Sequence, residues 1–427
     1  MNRRSNGPLA AVQLLAIKFN HEPNSATNDA LNIRRNAGQW VNVPEWQQGI
    51  SVNPEDSPAA YTIATTRGQT ITIQASFSGP SSGSAQIRAL DNVVYPPGPG
   101  GCLGILVSLI QAIIRALVGN VLGDVQARTV SFVSGQSGFV QFNLVNTRLS
   151  SSAIGTHTTE WRWQYRLHPG HPWKDCQITR HRIYILVDLP TAPWQQAPYD
   201  SSNVQLPWTD VLDYSCSWAL GAQTADAGAG AVTRAVNNLG PALITYDCPG
   251  GGGSHYSYAS YDLSWKFQSG NFDCTAFLDR LKGGLGNGWY VNCSDCATIV
   301  STFANILGCD LWQSRMQWDF QLNDILAIGS NVWQPPCQGI DNWSGGFSYH
   351  EVAWEDGCTA DDDVFDACLE VDGDADPTDH SSHTALLPTD LRFGNPGDLL
   401  YRDRLAVPAS RASCSPAPDT RGRRSIS

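Results

Sequence analysis

Side-chain polarity alternates with a period of two through the first 190 residues, and that pattern limits what this part of the chain can build. Ile71, Ile73, Ala75 and Phe77 alternate with Thr70, Thr72, Gln74 and Ser76. Val140, Phe142 and Leu144 alternate with Gln141 and Asn143, and Trp161, Trp163 and Tyr165 with Arg162, Gln164 and Arg166. Ile183, Ile185 and Val187 form a further run. A strand turns successive side chains to opposite faces, so each run has one buried and one wet face. Separated by Gly, Ser, Pro and Asn turns, such strands predict an all-β sandwich over 1–190, with immunoglobulin-like packing.

One stretch breaks the alternation. Residues 103–122 are nearly all aliphatic, and Ser108, Gln111 and Arg115 sit three and four apart, on one face of a helix. The expectation is an apolar helical insertion packed on the sandwich or on a partner. Membrane or assembly contact through 103–122 is the alternative, against which Arg115 in mid-span and the Pro-Gly approach at 96–101 count. Pro190, Pro193, Pro198 and Pro207 then mark an extended linker, 191–208.

Beyond it the period becomes helical. Thr209 is the expected cap of a helix through Ser217; Thr224 caps another over Ala227, Ala231, Val232 and Val236, stopped by Gly240. Helices followed by late strands predict an α+β domain over 209–405. Pro249 and Gly250–Gly253 form a loop without the lysine and hydroxyl that a phosphate cradle needs.

Charge and cysteine content narrow the function. A net charge of −12 disfavours a nucleic-acid partner. Only the basic C-terminal tail, 406–427, with Arg421, Arg423 and Arg424, departs from this, and it reads as solvated and frayed. Ten of the 12 cysteines lie from Cys216 onward at irregular spacing, unlike a small disulfide scaffold. The expectation is mostly free thiols. No convincing signal peptide is read at the start, so a cytoplasmic site is the default.

The run Asn292-Cys293-Ser294-Asp295-Cys296-Ala297 opens a helix whose stripe is Cys296, Ile299 or Val300, Phe303 and Leu307, and which closes on Gly308. Cys293 falls in the first turn, where unpaired N–H groups and the helix dipole favour the reactive thiolate. Downstream, Phe347 to Trp354 reads as a strand carrying His350, and Val364 to Leu369 as a strand carrying Asp366, sixteen residues on.

This pattern resembles the transglutaminase-like, or papain-like, cysteine protease superfamily. The match is strongest over 286–310 and 346–369 and covers roughly 209–405. The resemblance implies an α+β transglutaminase-like (papain-like) catalytic domain behind the all-β sandwich domain. It implies Cys293 as nucleophile, His350 as base and acid, and Asp366 as the group that orients the imidazole. The backbone N–H of Cys293 would serve the oxyanion, with a side-chain donor from Trp289, Tyr290 or Asn292. The sequence departs from the family at Cys296, where an aromatic residue is usual, and at Glu351, where many relatives have a small apolar one.

The implied function is a cysteine-nucleophile enzyme acting on amide or peptide carbonyls of protein or peptide substrates through a thioester, with peptide hydrolysis leading. Acyl transfer to an amine is the first alternative. A non-catalytic binding protein, or membrane or assembly docking through the β domain, is the second.

Other readings compete at single positions. Cys296 is the rival nucleophile, and Cys293 with Cys296 forms a Cys-x-x-Cys without the second close pair that zinc requires. His255, His380 and His383 rival His350, and Asp361, Asp362 and Asp363 rival Asp366. Asp372, Asp374 and Asp376 alternate as in a calcium loop, but Pro377 stands where the loop needs glycine. No cofactor is expected beyond that calcium alternative.

Overall fold

The computed structural model describes residues 11–22, 27–91, 120–195, 203–248, 253–337 and 345–427. These fall into two compact units, one drawn from residues up to Leu189 and one from Pro190 onward, with Asn36–Gly38 counted in the second.

The first unit is all-β. Its strands are β1 (Gln13–Lys18), β2 (Trp46–Gln47), β3 (Pro58–Thr62), β4 (Thr72–Ser78), β5 (Ser82–Asp91), β6 (Asp124–Val133), β7 (Val140–Val145), β8 (Gly155–Arg166) and β9 (Lys174–Leu186). Where two stacked sheets were expected, hydrogen bonding runs through one nine-stranded sheet in the order β2-β1-β4-β7-β6-β5-β8-β9-β3. The neighbouring strands for which pairing is described run antiparallel, except β9 and β3, which are parallel.

The sheet bends so that its halves face each other. Trp163 of β8 meets Phe77 of β4 and Phe142 of β7 at 5.6 and 6.0 Å between ring centres, although β8 neighbours neither strand. A sandwich-like core is thus built without a second sheet. Alternation legible in sequence fixes which side chains face in; it does not say where the ladder breaks.

The insertion read at 103–122 lies outside the described residues as far as 119. Val121 and Leu122 are described, and both sit in the core of the β unit. The stretch read as a linker is not free of the second unit at its described ends. Trp194 and Trp208 are buried there, and the Trp194 indole donates to the carbonyl of Thr302.

The second unit begins with α1 (Thr209–Trp218) and α2 (Ala225–Asn237). Thr224 caps α2 by accepting from Ala227 N–H; Trp208, not Thr209, is the N-cap residue of α1. A parallel pair, β10 (Thr245–Tyr246) and β11 (Tyr290–Val291), leads into α3 (Cys293–Asn305). Every residue of α3 is buried. Ile299, Val300, Phe303 and Leu307 are fully so, each worth roughly 1.5–3 kcal/mol over exposure. Gly308 follows at φ +92°, a conformation that favours glycine and lets the chain turn away.

Behind α3 lies a five-stranded sheet of β12 (Trp312–Gln321), β13 (Gly346–Trp354), β14 (Asp363–Phe365), β15 (Leu391–Arg392) and β16 (Ser415–Gly422), ordered β15-β14-β13-β12-β16. A short helix, α4 (Tyr401–Leu405), precedes the last strand.

The tail expected to fray is a structural element instead. β16 pairs antiparallel with β12, and Ser425–Ile426 adds a parallel strand to Phe267–Phe272. The reason is Arg424, about 1 % exposed. Its Nη1 lies 2.7 Å from Glu351 Oε1, and it donates to Thr298 Oγ1 at 2.9 Å. A buried carboxylate demands a partner, and the C-terminal segment supplies it.

Replacing Arg424 by Ala would leave the Glu351 charge to Arg315, whose Nε is more distant at 3.6 Å. The expected cost is about 3 kcal/mol in urea unfolding, most of it recovered when Glu351 is also made apolar. A loss in Arg424→Ala indistinguishable from that of a surface arginine would refute this account of the tail.

Candidate active site

The nucleophile's backbone is held before any catalytic side chain is considered. Asn292 is the N-cap of α3: its Oδ1 accepts from Asp295 N–H at 3.1 Å, while Asp295 Oδ2 accepts from Asn292 N–H at 3.2 Å. The same carboxylate accepts from the N–H groups of His255, Tyr256 and Ser257 at 2.8–3.0 Å. Burial pushes the Asp295 carboxyl up, and these N–H donors pull it back toward the ionised form. Cys293 is therefore the first residue of a clamped helix, 6 % exposed.

Register brings in the other two groups. On β13 and β14, Trp354 pairs with Val364 and Ala353 with Phe365, so the next residue, Asp366, leaves the ladder beside the stretch that carries His350. His350 Nε2 lies 2.9 Å from Asp366 Oδ2. Its Nδ1 is buried with no hydrogen-bond partner, and the Cys293 thiol is close enough to favour the charged form of the ring. Burial alone would lower the imidazole's pKa, but Asp366 and Cys293 outweigh it and hold His350 at about 10. Phe347 stacks on the ring at 5.3 Å.

Asp366 is saturated. Oδ1 accepts from the N–H groups of Cys368 and Leu369 at 2.8 and 3.3 Å. Oδ2 accepts from Tyr401 Oη at 2.7 Å as well as facing the imidazole. Tyr401, on α4, left no trace in the sequence pattern, because nothing local links it to Asp366.

Glu351, which stood out as a departure from the family, has a structural role. Its Oε2 accepts from Ser294 Oγ at 2.8 Å, tying the residue after the nucleophile to the residue after the histidine. Burial pushes its carboxyl up, but the charges of Arg424 and Arg315 prevail and hold it below the usual range.

The side chains proposed as oxyanion donors make other described contacts. Asn292 spends its Oδ1 on the cap and on Ser254 Oγ. Trp289 is more than half exposed, with the Arg280 guanidinium 4.9 Å from its ring. Tyr290 lies 5.9 Å from the His255 ring. Two phenols feel the Cys293 thiol, those of Tyr246 and Tyr349, both pushed up by burial first and by the thiol second. Tyr246 pairs with Val291, two residues before the nucleophile, which is the one sequence signal that pairing of β10 and β11 would have offered.

The rivals have other partners. Cys296 hydrogen-bonds to Cys368; that bond lowers its pKa, but burial and the carboxylates of Asp295 and Asp366 outweigh it, so the thiol stays protonated. His255 pairs with Asp247 at 3.0 Å, His380 with Asp324 at 2.6 Å, and His383 with Asp372 at 3.0 Å. Asp362 accepts from Thr359 N–H and Oγ1. In the calcium-like run, Asp372 also accepts from the N–H groups of Asp374 and Thr384. Among the described residues no cluster of three or more His, Cys, Asp or Glu is arranged to hold a metal, and no helix is long and apolar enough to cross a membrane. Among the described residues, the reading of mostly free thiols meets one exception, the disulfide Cys248–Cys337.

A pKa raised from about 6.5 to about 10 has a definite sign. The charged His350 contributes stability that is complete below about pH 6.5 and is lost as pH rises through about 10. The difference in unfolding free energy between wild type and His350→Gln, measured from pH 6 to 10.5, is expected to shrink over that window. Asp366→Asn is expected to move the imidazole titration, followed by NMR, to well below 10. A difference that stays flat with pH would contradict the charged pair.

No protein-family model matches this chain, and no curated protein does. Among solved structures it is similar to that of red sea bream transglutaminase, with a TM-score of 0.33 and 10 % identity. That match covers 80 % of this chain and 50 % of the other, so the chain spans about half the length of that transglutaminase.

Proposed function

We propose that the second unit is a cysteine-nucleophile enzyme that cleaves amide bonds of protein or peptide substrates through a thioester. The observation that carries the reading is one buried imidazole set between a saturated carboxylate and a thiol on the first residue of a helix. Cys293 Sγ attacks the carbonyl carbon, and the thiol proton is held by His350. The tetrahedral oxyanion is stabilised by the Cys293 N–H and a nearby phenol, Tyr246 or Tyr349. His350 returns the proton to the leaving amine as the C–N bond breaks, leaving the thioester. Water then attacks the thioester, His350 again takes and returns a proton, and the thiol is freed.

Transfer of the acyl group to an amine uses the same steps with an amine in place of water, and remains the second reading. The half-buried Tyr246 and Tyr349 beside the thiol favour it to the extent that they restrict water.

Alkylation tests the chemistry without a substrate. With iodoacetamide and peptide mapping, Cys293 is expected to label fastest of all the cysteines. His350→Ala is expected to slow it about ten-fold or more. If Cys293 labels no faster than the other thiols, or is indifferent to the loss of His350, the unit is a binding scaffold and the reading fails.

A further inference from the structure

A second feature of this unit lies on the strand next to the histidine strand. A groove of about 450 Å³ is lined by Trp265, Gln317, Trp318, Pro418 and Asp419, among others. Trp265 and Trp318 are 47 % and 40 % exposed, and their rings meet edge to face at 4.8 Å, forming two walls of a corner. Gln317 Oε1 is buried and has no hydrogen-bond partner. Asp419 is exposed and makes no ion pair among the described residues.

We propose that this groove binds a basic side chain, lysine or arginine, of the polypeptide on which Cys293 acts. Three properties converge on a cation that carries N–H donors. The faces of two indoles attract positive charge. The lining holds one charged side chain, a carboxylate. A buried amide oxygen without a partner costs free energy until a donor reaches it. A sugar hydroxyl would donate to Gln317 or to the carboxylate but would leave the carboxylate's charge uncompensated. A neutral apolar side chain would leave all the polar groups unmet.

The position fits a substrate subsite. Gln317 pairs with Tyr349 across β12 and β13, as Met316 does with His350, and Tyr349 lies beside Cys293. One strand spacing and the length of a tyrosine put the groove roughly 10 Å from the thiol. An extended peptide covers that in about three residues, so the basic residue would lie two or three positions from the cleaved bond.

The assignment of the groove to substrate rests on the cysteine chemistry proposed above, but its binding can be measured apart from it. Full-length Cys293→Ala would be titrated calorimetrically with the N-acetyl methylamides of lysine, arginine and norleucine, while the indole N–H signals of Trp265 and Trp318 are followed by NMR. The expected result is saturable binding of the two basic compounds that shifts both indoles. Norleucine is expected to bind at least about ten-fold more weakly. Asp419→Asn, an exposed and conservative change, is expected to weaken the basic compounds by a similar factor. Equal binding of norleucine, no effect of Asp419→Asn, or indole signals that do not move would each overturn the proposal. Slow alkylation of Cys293 together with intact lysine binding would overturn the enzyme reading and leave a basic-peptide binding site. Fast alkylation without lysine binding would overturn only the subsite.

Discussion

The candidate site depends first on a carboxylate that takes no part in its chemistry. Asp295 accepts from four backbone N–H groups, one at the helix cap and three from the segment 255–257. Buried carboxylates tolerate burial only when so paired, and the pairing makes the start of α3 a rigid point. Cys293 inherits that rigidity. A loosely held thiol would spend its attack on finding the carbonyl; a clamped one has that entropy removed beforehand.

Two further buried carboxylates divide the remaining work. Asp366 takes donors on both oxygens and gives the imidazole a single partner and orientation. Glu351 binds Ser294 and Arg424, and so joins helix, histidine strand and C-terminal segment. Each of these three acids lies one to three residues from a group with a proposed chemical role, or is itself that group. The charges that would be costly in isolation are spent on fixing geometry, a use of buried ion pairs that apolar packing could replace in stability but not in direction.

What could be read beforehand follows from what leaves a local pattern. The first turn of α3 was legible because its stripe and Gly308 obey helical spacing, and the partnership of His350 with Asp366 because a short hairpin keeps them close, although Asp366 lies one residue past the strand expected to carry it. Tyr246, Tyr401 and Arg424 were not legible. Tyr401 lies 35 residues from its partner and Arg424 lies 73 from Glu351, and such pairings obey no period. Arg424 was misread for a further reason: a short basic run beside no apolar stripe looks solvated until the buried acid it answers is known. In the β unit, alternation assigned the inward faces but could not tell one continuous ladder from two stacked ones.

The continuity of that nine-stranded ladder also bears on how the β unit avoids its own kind. A single sheet has only two edges. Here one is β2, two residues long, and the other is β3, five residues long and all buried. Unpaired strand edges are templates for pairing with another chain, and short or covered ones offer little purchase. The long strands β8 and β9, the best templates by length and by their aromatic and β-branched content, have neighbours on both sides over part of their length, 161–165 and 182–185. The order of the strands thus shields these stretches of β8 and β9 from pairing with a foreign strand.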